Sequence, residues 1–593
     1  MDSFEEDDQV VESSPQPDEQ PTLELEHALA ELGKGGRWLR SLFLLGSIPG
    51  VLNALNLVAY VFIATEPRFF CKEKTAEPFG QNFTNLSSGR RMELRNESKS
   101  SSCFYTEWNS TNEFSDSAQE PQFHCEEYVF FETDRGTSIV SEWSLVCDSE
   151  IWKPMSQVAL GVGKVIGSLV FGCISDRMGR KTSFLASSFV YLVAGPAAAF
   201  AFHFPAFIFF RIALGAAGAG AFTSAYTIMA ESAKAPRRPN LGVLFNMSYA
   251  IGFVIAPVLS LAFSGWRPFQ MAISVPALLL LLPCWSLPES PRWLISQGRH
   301  REALYVVRHA TTKNIDRQRT ISSTENRFQQ QEEDASCWSG TLTFLARLGG
   351  MLSDGMFRKR LLLSQLIWFS CSLTYHTLML SGAALGLQPH RYVVLLASVE
   401  VLSYLLPPLM LKRYSRRICL ALLLTGSTLA LATLACVPKD YSVGTMAAAM
   451  LSRFFISGAY SVAILFTSEL FPTVTRNTAI GTCTTFAQIG SISAPFLVDM
   501  IAVGSVSTPM WVCFSASFAA LFLSLGLPAL RNINLCDTMA QARCSEAELK
   551  EVSFFRGRNK AGADDIEQDV QPNELSDIPE EEESLDLSHL GLG

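Results

Sequence analysis

Long apolar runs recur along the chain, most of them separated by short polar loops. The first, Ser41–Ile63, carries no charge; at a helical rise of 1.5 Å per residue it spans about 34 Å, enough to cross a hydrocarbon core of about 30 Å. Comparable runs lie at 154–173, 183–202, 204–230, 241–263, 269–287, 361–384, 391–411, 418–437, 444–468, 478–502 and 509–530. This pattern predicts an all-α membrane protein with twelve transmembrane helices. Small-residue stretches such as LGAAGAGA (214–221) fit helices in close contact within lipid, where small side chains let backbones approach.

Basic residues in the short loops set the orientation. The loops after spans two, four, eight and ten hold Arg177, Arg180, Lys181, Lys234, Arg237, Arg238, Lys412, Arg413, Arg416, Arg417 and Arg476. The opposite short loops hold only Arg267, Arg391 and Lys439, while Lys34, Arg37 and Arg40 precede span one. Both termini are therefore expected in the cytosol. The long loop 64–151 falls outside. It carries glycosylation sequons at Asn82, Asn85, Asn96 and Asn109 and the cysteines Cys71, Cys103, Cys125 and Cys147, a combination suited to an oxidising exterior. Four cysteines allow three pairings, and the spacing selects none of them. A fifth sequon, Asn246, lies inside span five and is expected to stay unused.

The other long loop, 288–360, is rich in Arg, Lys, Glu and Gln and reads as a cytosolic linker with short helices. It divides the chain into a six-helix N-terminal half, 41–287, and a six-helix C-terminal half, 361–530. Acidic tails, 1–40 and 531–593, flank them.

Composition changes this picture in one respect. Of 593 residues, 48% are hydrophobic and 17% charged, with a net charge of −9. Soluble domains carry roughly 25% charged residues, so a soluble multidomain enzyme is a poor fit. The net charge is a property of the tails. Residues 1–40 hold 3 basic and 11 acidic side chains and residues 541–593 hold 5 and 14, leaving a body of +8. A basic body made of apolar runs points to a membrane and away from nucleic acid.

The halves repeat one another, which constrains the fold strongly. GCISDRMGRK (172–181) follows span two, and KRYSRR (412–417) follows span eight. Span four runs from Arg211 to Glu231 and span ten from Arg453 to Glu469; span six ends in LPESPRWL (287–294) and span twelve in LGLPAL (525–530). Together with SIVSEWSLVC (138–147), WRPFQ (266–270) and SELFPTVTRNTAIG (468–481), these motifs resemble the organic cation, anion and zwitterion (carnitine-type) transporters of the solute carriers. That group is a branch of the major facilitator superfamily, and the resemblance covers about 40–535. It implies two six-helix pseudo-repeats that rock about a central site in the plasma membrane. The chain departs from the pattern at Lys412 and Ser415, where the family commonly has Asp and Gly, and at Pro528-Ala529-Leu530, where a PET-like signature is reduced.

The resemblance also implies a cytosolic gate. Its first-half members would be Asp176, Arg177, Arg180, Lys181, Glu231, Glu289 and Arg292; the second-half set would be Arg413, Arg416, Arg417, Glu469 and Arg476. As an ionic latch these would hold the outward-facing state; the plainer reading is positive-inside topology. Arg211 and Arg453 recur as matched positions, although Arg211 has room to snorkel outward.

Ionisable residues deep in a span are costly and are the first candidates for a substrate site. Lys164 lies about 14 Å into span two. It stands where the family usually has an apolar or aromatic residue. It fits a substrate carboxylate, a switching internal acid, or a structural ion pair with Glu400 of span eight. Glu400, in VEVLSYLLPP (399–408), which resembles a family segment whose glutamate is widely shared, is itself a candidate for the substrate site. Gln488 falls where cation-selective relatives often have Asp and where anion or carnitine carriers often have Arg. Phe222, Tyr226, Trp368, Tyr375 and Tyr460 are candidate aromatic walls, able to make cation-π contacts or pack against an amphiphile, or else simply to pack helices. His376 fits either proton coupling or a hydrogen bond to a neighbouring helix.

These features point to a carrier of small organic ions working by alternating access, with Lys164 favouring anions or carnitine-like zwitterions over cations. The alternatives are a cation carrier and a transport-inactive, transporter-like receptor. H+ or Na+ would serve as coupling ion. No GxxxxGK[ST] loop is present, the eight histidines form no metal-ligand spacing, and neither an enzyme nor a cofactor is expected.

Overall fold

A computed structural model describes residues 36–71, 103–106, 122–125, 127–131, 136–233, 238–313, 348–382, 385–438, 441–501 and 507–528. The sequons at Asn82, Asn85, Asn96 and Asn109 lie outside the described residues, as do Lys234, Arg237, Lys439 and nearly all of both tails.

Twelve long helical segments occur among the described residues. In the first half they are α1 (Arg37–Val58, continuing as Tyr60–Ile63), α2 (Trp152–Met178), α3 (Arg180–Ala199), α4 (Phe204–Ser232), α5 (Arg238–Ala262) and α6 (Trp266–Ser274, continuing to Ser286). In the second half they are α7 (Gly355–Leu380), α8 (Pro389–Leu411), α9 (Arg416–Cys436), α10 (Ser442–Leu470), α11 (Thr473–Asp499) and α12 (Thr508–Leu525). Ten are long and apolar enough to cross a membrane. The other two, α7 and α11, carry the most polar sequences, and α7 is buried along almost its whole inner length, from Ile367 to Leu380. A polar helix is affordable in lipid only where other protein surrounds it.

Packing repeats between the halves. α4 packs on α1, α2 and α3, as α10 packs on α7, α8 and α9; α3 meets α6 as α9 meets α12. Small residues permit the tightest crossing. A Cβ added to Gly163 or Gly167 of α2 would meet backbone oxygens of α4 at 2.1 and 2.2 Å, so the crossing of α2 on α4 tolerates no side chain there. The halves meet along α5 and α8.

Beyond α1, short antiparallel pairs join Phe69–Cys71 to Tyr128–Phe130 and Phe104–Thr106 to Gln122–His124. Cys103 is disulfide-bonded to Cys147, and Cys125 is also in a disulfide. The SEW and WRPFQ motifs meet here. Glu142 accepts hydrogen bonds from Trp266 Nε1 (2.6 Å) and Arg267 Nε (3.1 Å), and Arg267 also donates to the carbonyls of Ala199 and Ala201. Glu142 thus fastens the loop to the start of α6, and Arg267 carries the link on to the end of α3.

Candidate functional site

On the arginine-rich face, the turn between α2 and α3 is built around Gly179, whose φ of +105° favours glycine. A Cβ there would lie 2.3 Å from Glu289 Oε2. With that space open, Glu289 accepts from the backbone N–H groups of Arg180 (2.8 Å) and Lys181 (3.1 Å). A carboxylate so placed satisfies free N–H groups at the positive end of α3. The Arg180 guanidinium pairs with Glu231 (3.2 Å) and more loosely with exposed Asp176 (3.4 Å). Trp293, on the short helix Pro291–Ser296, donates to the Asp176 carbonyl.

The second half keeps a reduced version. Arg416 donates to Glu469 at 2.8 and 3.2 Å, matching Arg180 and Glu231. Ser415 takes the place of the turn glycine with an ordinary φ of −68°, so the tight acid-cradling turn is not reproduced. Arg177, Arg292 and Arg413 are exposed, while Arg417 and Arg476 are half-buried. The ion pairs formed by Arg180 and Arg416 each tie one half to itself.

In the interior, Arg453 of α10 and Glu400 of α8 are fully buried and paired at 2.7 Å. Tyr375 and Tyr404 donate to the other Glu400 oxygen at 2.7 and 3.0 Å. The Arg453 guanidinium also donates to the Tyr375 carbonyl and lies 3.4 Å from the centre of its ring. Glu400 is therefore not the counter-charge of Lys164; Arg453 holds it. The repeat-related Arg211 does not snorkel. It is 0% exposed and bonds to the Ser156 carbonyl, the Asn56 carbonyl and Gln157 Oε1, with no carboxylate partner among the described residues.

Lys164 is half-buried and likewise has no carboxylate partner among the described residues. His376 turns inward on its own helix: Nδ1 contacts the Ser372 carbonyl at 2.8 Å. That bond lies within α7, contrary to the expected bond to a neighbouring helix. Gln488 is half-buried, and its Oε1 has no hydrogen-bond partner among the described residues.

The aromatic candidates fall into two groups. Phe222 and Tyr226 of α4 pack on Phe245 with ring centres 5.2 and 5.6 Å apart. Trp368 and Tyr375 of α7 flank Tyr460 of α10 at 5.7 and 6.3 Å. Tyr249 of α5 extends the first group: its ring is 5.4 Å from Phe222, and its hydroxyl lies 3.5 Å from Asn53 Nδ2 of α1. Sequence inspection missed Tyr249 because a lone tyrosine in an apolar span carries no pattern.

The sugar (and other) transporter family model matches residues 99–531. The chain is 29% identical over 524 residues to the organic cation transporter protein of Drosophila melanogaster, covering 86% of this chain and 93% of that one. It is 31% identical over 438 residues to solute carrier family 22 member 12 of Mus musculus, covering 73% and 78%. In fold it matches the partially occluded, inward-open xylose transporter XylE from E. coli, with a TM-score of 0.57 and 13% identity over 84% of this chain and all of that one. The repeated six-helix packing and these matches agree: the chain belongs to the sugar (and other) transporter family, as a major facilitator transporter of the solute carrier 22 organic-ion group.

Proposed function

We propose that the protein carries small organic anions or carnitine-like zwitterions across the plasma membrane by alternating access. The arginine-rich face and both termini lie in the cytosol in this reading, and the 64–151 loop is glycosylated outside. One observation carries the choice of substrate: Arg453 neutralises Glu400, whereas Lys164 has no acidic partner among the described residues. A half-buried cation deep in a span without a counter-charge is costly, and a substrate carboxylate would supply that charge. Gln488, with its unpartnered Oε1, would accept a hydrogen bond from a polar substrate group. Phe222, Tyr226, Trp368, Tyr375 and Tyr460 would wall the organic moiety. Asp176, Arg177, Arg180, Lys181, Glu231, Glu289 and Arg292, with Arg413, Arg416, Arg417, Glu469 and Arg476, would set the spacing of the cytosolic helix ends as the halves rock, with H+ or Na+ as coupling ion.

Uptake of labelled carboxylates, carnitine-like zwitterions and cations by cells displaying the protein tests this. Carboxylate uptake that is lost in Lys164→Ala is expected. Preferential cation uptake, unaffected by that substitution, would overturn the reading. Uptake of nothing by protein delivered to the surface would favour a receptor.

A further inference from the structure

The face opposite the arginine-rich loops holds a second charged cluster, made of residues far apart in sequence. Lys153, in the first turn of α2, bonds to Glu66 just beyond α1 and lies 3.1 Å from Asp499 at the end of α11. The Tyr60 hydroxyl, near the end of α1, donates to the same Asp499 carboxylate. Lys153 and Asp499 have side chains only 9% and 10% exposed, whereas Glu66 is 61% exposed. Two N-terminal-half side chains therefore converge on one buried acid of the C-terminal half.

Neighbouring contacts cross the same boundary. On α8, His390 Nε2 lies 3.2 Å from Ser260 Oγ of α5, and the His390 ring is 5.0 Å from that of Phe62. Two turns into α2 from Lys153, the two helices are in close contact: a Cβ on Gly161 would come within 2.7 Å of Ile492 on α11.

We propose that Lys153, Asp499 and Tyr60 form the bolt that closes the outer mouth of the transport pathway. The inference adds a gate to the carrier described above and rests on its orientation and rocking motion. α2 and α11 belong to opposite halves, so opening that face must separate Lys153 from Asp499. The ion pair is strong while water is excluded, but opening hydrates both charges and offsets much of the lost attraction. A bolt of this kind biases the two-state equilibrium without welding it shut. Glu66, exposed and on the same half as Lys153, keeps the lysine positioned when Asp499 leaves.

The test uses the full chain on intact cells and needs no substrate, so its outcome is independent of the carboxylate assignment. Cys371 and Cys483 are buried free thiols on α7 and α11, the helices that carry Trp368, Tyr375 and Gln488. Their modification by a membrane-impermeant methanethiosulfonate added outside, read by peptide mass spectrometry, reports opening of the outer face. Asp499→Asn is expected to raise the rate on the order of tenfold, while Asp499→Glu keeps the charge and stays near the unsubstituted rate. Tyr60→Phe, which removes one hydroxyl, should give a smaller rise and serves if Asp499→Asn fails to reach the surface. Unchanged labelling in Asp499→Asn, or in Tyr60→Phe where that variant carries the test, at equal surface amounts overturns the bolt.

Discussion

Arg453 and Glu400, 53 residues apart, are joined at 2.7 Å with neither side chain exposed. The pair fixes α10 against α8, and Tyr375 adds α7 to the same junction. Its repeat-related counterpart, Arg211, satisfies its guanidinium with carbonyls and an amide instead. The two halves therefore share a buried arginine but treat its charge differently.

Glu400→Gln should destabilise the protein strongly. Removing one partner of a buried ion pair leaves the other charge uncompensated, at a cost of about 3–5 kcal/mol. Thermal unfolding of the purified protein in detergent should show a large drop in midpoint. Replacing Arg453 by Met together with Glu400→Gln should recover part of it, because the stranded cation is gone. A double variant no more stable than the single one would argue against the pair as the source of the loss.

Gly179→Ala should damage the arginine-rich turn by two routes at once. Its φ of +105° strains an alanine, and the new methyl would press on Glu289. Strain of this kind costs about 1–3 kcal/mol, and Glu289 would lose its bonds to the N–H groups of Arg180 and Lys181. Since the turn lies far from Lys164, maximal uptake rate should fall several-fold while KM changes little. The equivalent change at Ser415, Ser415→Ala, should have little effect on rate, because its backbone is already in an ordinary conformation.

The contrast between these two turns shows what the sequence could convey. The spans were legible because an apolar run has to be about as long as the membrane is thick. Their ends were not: α7 begins at Gly355 and includes Arg358, Lys359 and Arg360, ahead of the apolar run from 361, because Asp354 caps it. The repeat made Arg211 and Arg453 visible as a pair, yet only the fold shows that Glu400 belongs to Arg453 and is not available to Lys164. Lys153 and Asp499 were illegible for another reason. Charges at span ends resemble topology markers, and nothing along the chain connects position 153 with position 499.

Glu142→Gln should loosen the loop between α1 and α2 without altering substrate preference. Glu142 accepts from both Trp266 and Arg267, and hydrogen bonds to charged groups contribute about 1.5–3 kcal/mol. Arg267 retains the carbonyls of Ala199 and Ala201, which limits the damage. A lower unfolding midpoint with an unchanged ranking of transported substrates is the expected outcome. A changed ranking would place Glu142 in the substrate pathway.

Cys103→Ser and Cys147→Ser should behave alike, because each breaks the same bond. The bridge closes a segment with a sequence separation of 44, for which chain entropy predicts a contribution of about 4 kcal/mol. It joins one of the short strand pairs to the chain just ahead of α2, so its loss should expose the loop to proteolysis while the helices stay folded. Limited proteolysis of the protein in detergent checks this: both variants should be cut within 103–147 faster than the unsubstituted protein, and the double variant no faster than either single one. A double variant cut markedly faster would show that the two cysteines act independently and that a different pairing holds the loop.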